Sequence, residues 1–185
     1  MIKYILHGGE TKRNSIHNKN FFKEMVKGVK MPRILVVCFS KPKKTWPEEF
    51  EWEKKKFTHI KKKIEFILAD DDPEIFSKQV KRADTIYIKG GDNRLLIDKI
   101  KKTNNLEKLF RGKIVAGSSA GANVLSKYYY VRGKKRIEKG MGILPIKVFV
   151  HYSKKWAKEF KSLKEYKEDL EIYKIPETKY LIIRK

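Results

Sequence analysis

Lys113-Ile114-Val115-Ala116-Gly117-Ser118-Ser119-Ala120-Gly121-Ala122-Asn123 runs from an apolar segment directly into a serine bracketed by glycines. Residues 113–116 show no polar alternation, the pattern of a strand covered on both faces. Helix-forming residues follow the second glycine. A G-x-S-x-G at a strand-to-helix junction is the setting of a nucleophile elbow, in which a sharp turn lifts the middle serine above the sheet edge. Ser119 is that serine. Ser118 is its rival but lacks both flanking glycines. The amide of Ala120, at the start of a helix, is placed to meet negative charge developing on an attacked carbonyl.

Working outward, the same alternation recurs. Residues 2–6 form a short apolar strand stopped by Gly8-Gly9, and 33–38 form a near-continuous apolar one. Strands are also expected at 64–68 and 85–88, with later ones at 146–150 and 180–184. Between them the apolar spacing predicts helices over 18–29, 47–62, 73–82, 94–102 and 154–168. Asp72-Pro73-Glu74 has the N-cap and first-turn proline of a helix start. Alternating strands and helices indicate an α/β fold with a largely parallel sheet covered on both faces, 34–37, 86–88 and 114–116 being its inner strands. Such sheets bind ligands beyond the carboxyl ends of the strands. Both glycine segments, 90–91 and 117–121, fall at that edge. No repeat or linker divides the chain, so residues 1–185 are expected to form one domain.

Composition narrows the classes. The chain has 185 residues, of which 41% are hydrophobic, enough for a packed core and too many for a disordered tail. No apolar run approaches the roughly 20 residues that cross a bilayer, and the N-terminus lacks the pattern of a signal peptide. The single cysteine, Cys38, cannot form an internal disulfide, and a cytoplasmic location is the expectation. The net charge of +23 comes from 37 Lys and only 8 Arg spread along the chain. Diffuse lysine suggests solvated helix faces rather than specific nucleic-acid binding, which favours arginine and a single basic face. No metal-ligand spacing is present, and neither a metal, a cofactor nor a membrane is expected.

A serine nucleophile needs a base. His17 and His59 lie in polar segments. His151 ends the apolar run Val148-Phe149-Val150 downstream of Ser119, and His7 ends the first strand. Position favours His151 over His7 as general base. In Ile86-Tyr87-Ile88-Lys89-Gly90-Gly91-Asp92-Asn93 the two glycines let backbone approach a ligand, and the Gly91 amide is a candidate second oxyanion donor.

These segments together resemble the S51 serine peptidases, the family of dipeptidase E and cyanophycinase. The resemblance rests on Lys89-Gly90-Gly91-Asp92-Asn93, on Gly117-Ser118-Ser119-Ala120-Gly121-Ala122-Asn123, on Gly140-Met141-Gly142-Ile143-Leu144-Pro145 followed by Val150-His151-Tyr152, and on Ile175-Pro176-Glu177. It implies a three-layer, class I glutamine amidotransferase-like (flavodoxin-like) sheet. The activity implied is that of a serine exopeptidase acting on short peptides, with some preference for acidic residues. It carries over Ser119 as nucleophile, His151 as base and the Gly91 and Ala120 amides as oxyanion hole, with Gly90, Asp92 and Asn93 beside the substrate. Two positions depart from it. Lys89 stands at the first of three usual glycines, and 128–136 holds no acid where dipeptidase E has its Asp. Glu138, the only acid between Ser119 and His151, is the expected third member, with Glu177 and Asp92 as alternatives. Lys89 and Arg94 flank the glycine loop and would suit an acidic substrate. Two other readings stand beside this one: a non-catalytic binding protein whose triad has decayed, and an α/β-hydrolase esterase in which His7-Gly8-Gly9 serves as the oxyanion motif.

Overall fold

In the computed structural model, which describes residues 1–185, the chain forms ten strands and seven helices. β1 (Lys3–His7), β2 (Arg33–Val37), β3 (Glu65–Leu68), β4 (Thr85–Ile88) and β5 (Ile114–Ser118) are parallel neighbours, and β10 (Tyr180–Arg184) pairs antiparallel with β1. The six strands run in the order β10-β1-β5-β4-β2-β3. β2, β4 and β5 are therefore inner strands, as their unbroken apolar runs require. Every residue of β4 and β5 is buried. Helices α1 (Ile16–Glu24), α2 (Trp46–Lys55), α3 (Pro73–Arg82), α4 (Asn93–Ile100), α5 (Leu106–Leu109) and α6 (Ala120–Leu125) connect these strands, giving a three-layer α/β arrangement.

Two expected helices stop early. α1 ends at Glu24 rather than near 29, and α2 at Lys55 rather than near 62. Past each end the chain turns inward to bury an apolar residue, Met25 with Val26 in one case and Phe57 in the other. α3 matches its expectation: the Asp72 carboxylate caps the amides of Glu74 and Ile75, at 3.0 and 2.9 Å.

A second sheet was not foreseen. β6 (Tyr128–Val131), β7 (Arg136–Lys139), β8 (Lys147–Val150) and β9 (Ile172–Ile175) run in the order β7-β6-β8-β9. α7 (Ala157–Glu165) packs on it through Leu163, with Tyr130 and Phe149 stacked at 4.8 Å between ring centres. The two sheets share one core of 41 buried apolar residues, which takes in Tyr129, Val148, Val150 and Ile175 of the second sheet. This shared core sets the carboxyl end of β8 beside those of β1 and β5.

The end of β1 is fixed by a buried side chain. His7 has no solvent exposure; its Nε2 lies 2.9 Å from Asn18 Oδ1, and its Nδ1 accepts the Gly9 amide at 3.0 Å. Nδ1 is thus the unprotonated nitrogen, and Nε2 carries the proton. Burial pushes the His7 pKa down to about 4, with Asn18 opposing the shift. The unfolded chain then binds the extra proton below its ordinary pKa near 6.5, while the native chain does not. Stability from this site is complete above pH 6.5 and is lost as pH falls toward 4, by about 3 kcal/mol in all. Urea midpoints measured across that window should fall with pH, and His7→Gln should flatten the slope. A His7 imidazole that NMR shows titrating near 6.5 in the native protein would contradict this.

Candidate active site

The chain enters the elbow at the end of β5 and leaves it as α6. Ser119 sits at φ 52°, ψ −109°, a conformation that side chains rarely adopt and that a tight turn between strand and helix imposes. Gly121 shows why the motif needs its second glycine: a Cβ there would lie 2.2 Å from the Ile88 carbonyl oxygen of β4. The elbow is pressed against the neighbouring strand, and the serine hydroxyl is left facing outward.

Ser119 Oγ lies 2.9 Å from His151 Nε2. His151 follows β8 directly and also has a positive φ, 53°, so it turns out of the second sheet toward the first. The end of β1 holds both residues through backbone bonds. The Ser119 amide donates to the His7 carbonyl at 2.9 Å, and the His151 amide to the Gly8 carbonyl at 2.9 Å. Gly9 completes the seat: its φ is 109°, and a Cβ on it would fall 2.1 Å from His151 Cε1, inside the imidazole.

Glu177 lies on the far side of the ring, with Oε1 3.2 Å from His151 Nδ1 and Oε2 held by Arg13 at 3.2 Å. A carboxylate only accepts, so Nδ1 carries the proton and Nε2 is left to accept from the serine hydroxyl. The expected acid, Glu138, is elsewhere. It lies in β7, not in a loop, and its carboxylate takes the Tyr129 hydroxyl at 3.1 Å and the Arg136 guanidinium at 2.6 Å. Chain order pointed to Glu138; the antiparallel pairing of β6 and β7 puts it opposite Tyr129, where it is spent on that strand pair. Asp92 is spent as well, capping α4 through the Leu95 amide at 2.9 Å. Asn93 accepts from Asn123 Nδ2 at 3.1 Å and ties α4 to the elbow helix. Of the three residues expected beside the substrate, only Gly90 borders the cavity at Ser119.

Gly90 is close enough that a Cβ on it would lie 3.1 Å from Ser119 Cβ. The next amide, of Gly91, has no acceptor in the protein. Ala120 is the first residue of α6, so its amide finds no carbonyl within its own helix. Two backbone donors near the elbow thus have no acceptor in the protein. The amides of the rival motif His7-Gly8-Gly9 are occupied: Gly8 donates to the Lys179 carbonyl at 2.9 Å and Gly9 to His7. His7 itself is sealed under α1.

A sequence model of peptidase family S51 matches residues 4–185. The chain belongs to peptidase family S51. It is thus a serine-type peptidase by family. Two solved structures share its fold across the whole chain. A peptidase from an acI-B1 actinobacterium is 22% identical, with a TM-score of 0.70 over 84% of its own length. A putative peptidase E protein from Listeria monocytogenes EGD-e is 17% identical, with a TM-score of 0.69 over 95% of its length. No curated protein matches the sequence. No helix of the chain is long and apolar enough to cross a membrane.

The S51 cavity at Ser119 has a volume of about 380 Å³ and no hydrophobic residue in its lining. Lys89 lines it, at the position where the resemblance places the first of three glycines. The ammonium is buried and is consumed by Glu53 at 3.0 Å and by Glu49. Burial disfavours its charge, but the two carboxylates outweigh burial and hold its pKa above the ordinary lysine value. Glu53 also accepts from Lys56 and from the Tyr87 hydroxyl, at 2.8 and 3.0 Å. Lys89 is therefore a strut between the glycine loop and α2, not a free cation. Arg94 is exposed and turned toward Asp98, away from the cavity. Of the other lysines that line the cavity, Lys41 pairs with Glu49 at 3.3 Å and Lys56 with Glu53, which leaves Lys12, whose Nζ lies 5.4 Å from the Trp52 ring centre. Lys12 lies in no motif, whereas Glu177 stood among the candidates in Ile175-Pro176-Glu177.

Gly9→Ala tests the seat of the imidazole. The added methyl has to displace His151, and a shift of about 1 Å at a reacting group costs about 10² in rate. Labelling of Ser119 by a fluorophosphonate should slow by about that factor, with the circular dichroism spectrum of the wild type retained. An unchanged labelling rate would show that Gly9 does not set the Ser119–His151 contact.

Proposed function

We propose that this S51 peptidase is a serine exopeptidase that removes a residue from short peptides through an acyl-enzyme on Ser119. The observation that carries the reading is the 2.9 Å contact between Ser119 Oγ and His151 Nε2 with a carboxylate on the opposite ring nitrogen. His151 takes the serine proton as Oγ attacks the scissile carbonyl and returns it to the leaving amine; water then repeats the sequence to release the acid. Glu177 holds the accepting tautomer and stabilises the imidazolium. The Gly91 and Ala120 amides receive the oxyanion. No step calls for a metal. The chain works as one catalytic domain in this scheme, because the serine comes from the first sheet and the base from the second.

A preference for acidic residues is drawn from the rim cation Lys12, which pairs with no carboxylate, and from a cavity without apolar lining. The Listeria neighbour is a putative peptidase E, and a dipeptidase-like role is what the resemblance to dipeptidase E implies. The binding-protein alternative drew on the lack of an acid after the elbow, and Glu177 removes that motive. A cytoplasmic setting suits the buried free thiol of Cys38, whose pKa burial raises to about 12.

Ser119→Ala should abolish labelling by a fluorophosphonate. Glu177→Gln should lower the acylation rate by roughly 10³ to 10⁴, in line with loss of the acid partner in other triads, while Glu138→Gln should change it less than about three-fold. The opposite ranking of the two glutamines would overturn the assignment.

Burial, aided by Arg132, lowers the His151 pKa below 6.5 against the pull of Glu177. The base is therefore neutral at pH 7. Acylation should rise with pH along a single titration whose midpoint lies below 6.5 and should be flat at neutrality. A midpoint above 7 would contradict a buried, neutral base.

A further inference from the structure

β3 is the last strand of the first sheet, and no strand pairs with its outer edge. The ladder on its inner side tells which backbone groups that leaves free. The Glu65 amide donates to the Pro32 carbonyl and the Ala69 amide to the Val36 carbonyl, both at 3.0 Å, so 65, 67 and 69 turn their peptide groups toward β2. Residues 64, 66, 68 and 70 turn theirs outward. At one end the fold closes this edge itself. Gln79 of α3 donates from Nε2 to the Leu68 carbonyl at 3.0 Å and accepts the Asp70 amide on Oε1 at 2.9 Å, as the peptide group of a neighbouring strand would. No such group serves the Ile64 carbonyl or the amide and carbonyl of Phe66. The edge is finished at 68–70 and open at 64–66.

A pocket lies beside the open part. Ile64 and Phe66 share one face of β3 and, with Phe57 and Ile60, line a cavity of about 380 Å³. The Phe57 and Phe66 rings stand 5.2 Å apart within it. An extended chain bonded to Phe66 sends every second side chain to that face, where an apolar one finds apolar walls. The rest of the lining is mainly cationic, with Lys54, Lys55 and Lys62. Residues 54–65 hold six lysines against the single acid Glu65. Lys54 and Lys56 have carboxylate partners in Glu51 and Glu53, but Lys55, Lys61, Lys62 and Lys63 pair with no carboxylate.

The charge selects the occupant. A second copy of this chain laid along the same edge would press these lysines against their own counterparts, and lysine beside an edge strand works against self-pairing for that reason. A strand that carries carboxylates meets no such repulsion. We infer that the open edge of β3 docks an extended acidic segment of a partner protein by strand addition. Backbone bonds to Phe66 hold the segment, an apolar side chain of it enters the pocket, and its carboxylates meet Lys55 and Lys61-Lys62-Lys63. Residues 64–66 begin β3 at the amino end of the sheet, whereas Ser119 follows the carboxyl end of β5, with β4 and β2 between the two strands. The surface is thus separate from the cavity at Ser119 and does not depend on the peptidase reading.

The probe is the peptide Glu-Glu-Val-Leu-Val-Glu-Glu, with fluorescein at its N-terminus and an amide at its C-terminus, followed by anisotropy against the full chain. Binding should saturate. It should weaken about 10-fold or more when the three central residues are N-methylated, which removes strand bonds and keeps the charge, and also when lysine replaces every glutamate. Ile60→Glu, which puts a charge into the pocket, should weaken it by a similar factor. So should Lys55→Glu, whose exposed side chain leaves the fold intact even if Ile60→Glu does not. The peptide should slow hydrogen exchange at the Phe66 amide and leave that of Asp70, already bonded to Gln79, unchanged. No saturation at about 1 mM peptide, equal affinity for the N-methylated or the lysine peptide, or unchanged exchange at Phe66 would overturn the proposal. Sedimentation of the chain as a dimer that the peptide dissociates would overturn it in favour of a second copy. None of these readouts uses Ser119, so loss of the peptidase reading leaves the test intact.

Discussion

Two peptide carbonyls at the end of β1 hold the site together. The His7 carbonyl takes the amide of Ser119 and the Gly8 carbonyl takes the amide of His151, each at 2.9 Å. Ser119 and His151, the proposed nucleophile and base, come from different sheets, and both have positive φ, so neither would be held by its own strand. Adjacent peptides of one strand fix the distance between them. Everything around those peptides serves the same end. His7 is buried against Asn18, Gly9 leaves room for the imidazole, and the Thr178 amide binds the Gly9 carbonyl at 3.0 Å, next to Glu177. One short segment therefore aligns all three members of the Ser-His-Glu set.

The charge of the chain takes on a local meaning here. Most lysines are solvated, but Lys89 and Lys56 are drawn down onto Glu53, itself only 2% exposed in its side chain. Burying one such ion without partners would cost several kcal/mol, so the cluster stands or falls as a unit. It braces the glycine loop from below and leaves the cavity lined by polar groups alone. Of the cavity's lysines only Lys12 then lacks a carboxylate partner, so the charge of the site is set locally rather than by the net +23.

Much of this was legible in the sequence, because it depends on local pattern. Apolar runs at 34–37, 86–88 and 114–116 can only be inner strands, and G-x-S-x-G between a strand and a helix leaves few conformations for Ser119. His151 followed from lying at a strand end. The second sheet was hidden because β7 reads Arg136-Ile137-Glu138-Lys139, with too little apolar character to mark a strand, and because β6, though made of strand-forming residues, is only four long. Glu138 was misjudged for a related reason: order along the chain is a poor guide to position once a hairpin folds back. Glu177 reaches His151 because residues 178 and 179 bind the backbone of residues 9 and 8, a contact between distant ends of the chain. Asp92 and Asn93 sit in the right loop but point into capping and helix-tying bonds, which motif matching does not distinguish from substrate contact.

The central claim is that His151 keeps its proton on Nδ1, given to Glu177, and leaves Nε2 free for Ser119. Nitrogen chemical shifts of the His151 ring, measured at neutral pH in ¹⁵N-labelled protein, report this directly. The account predicts a protonated Nδ1 with a far-downfield proton that disappears in Glu177→Ala, together with an unprotonated Nε2. A proton on Nε2 and a bare Nδ1 would contradict it.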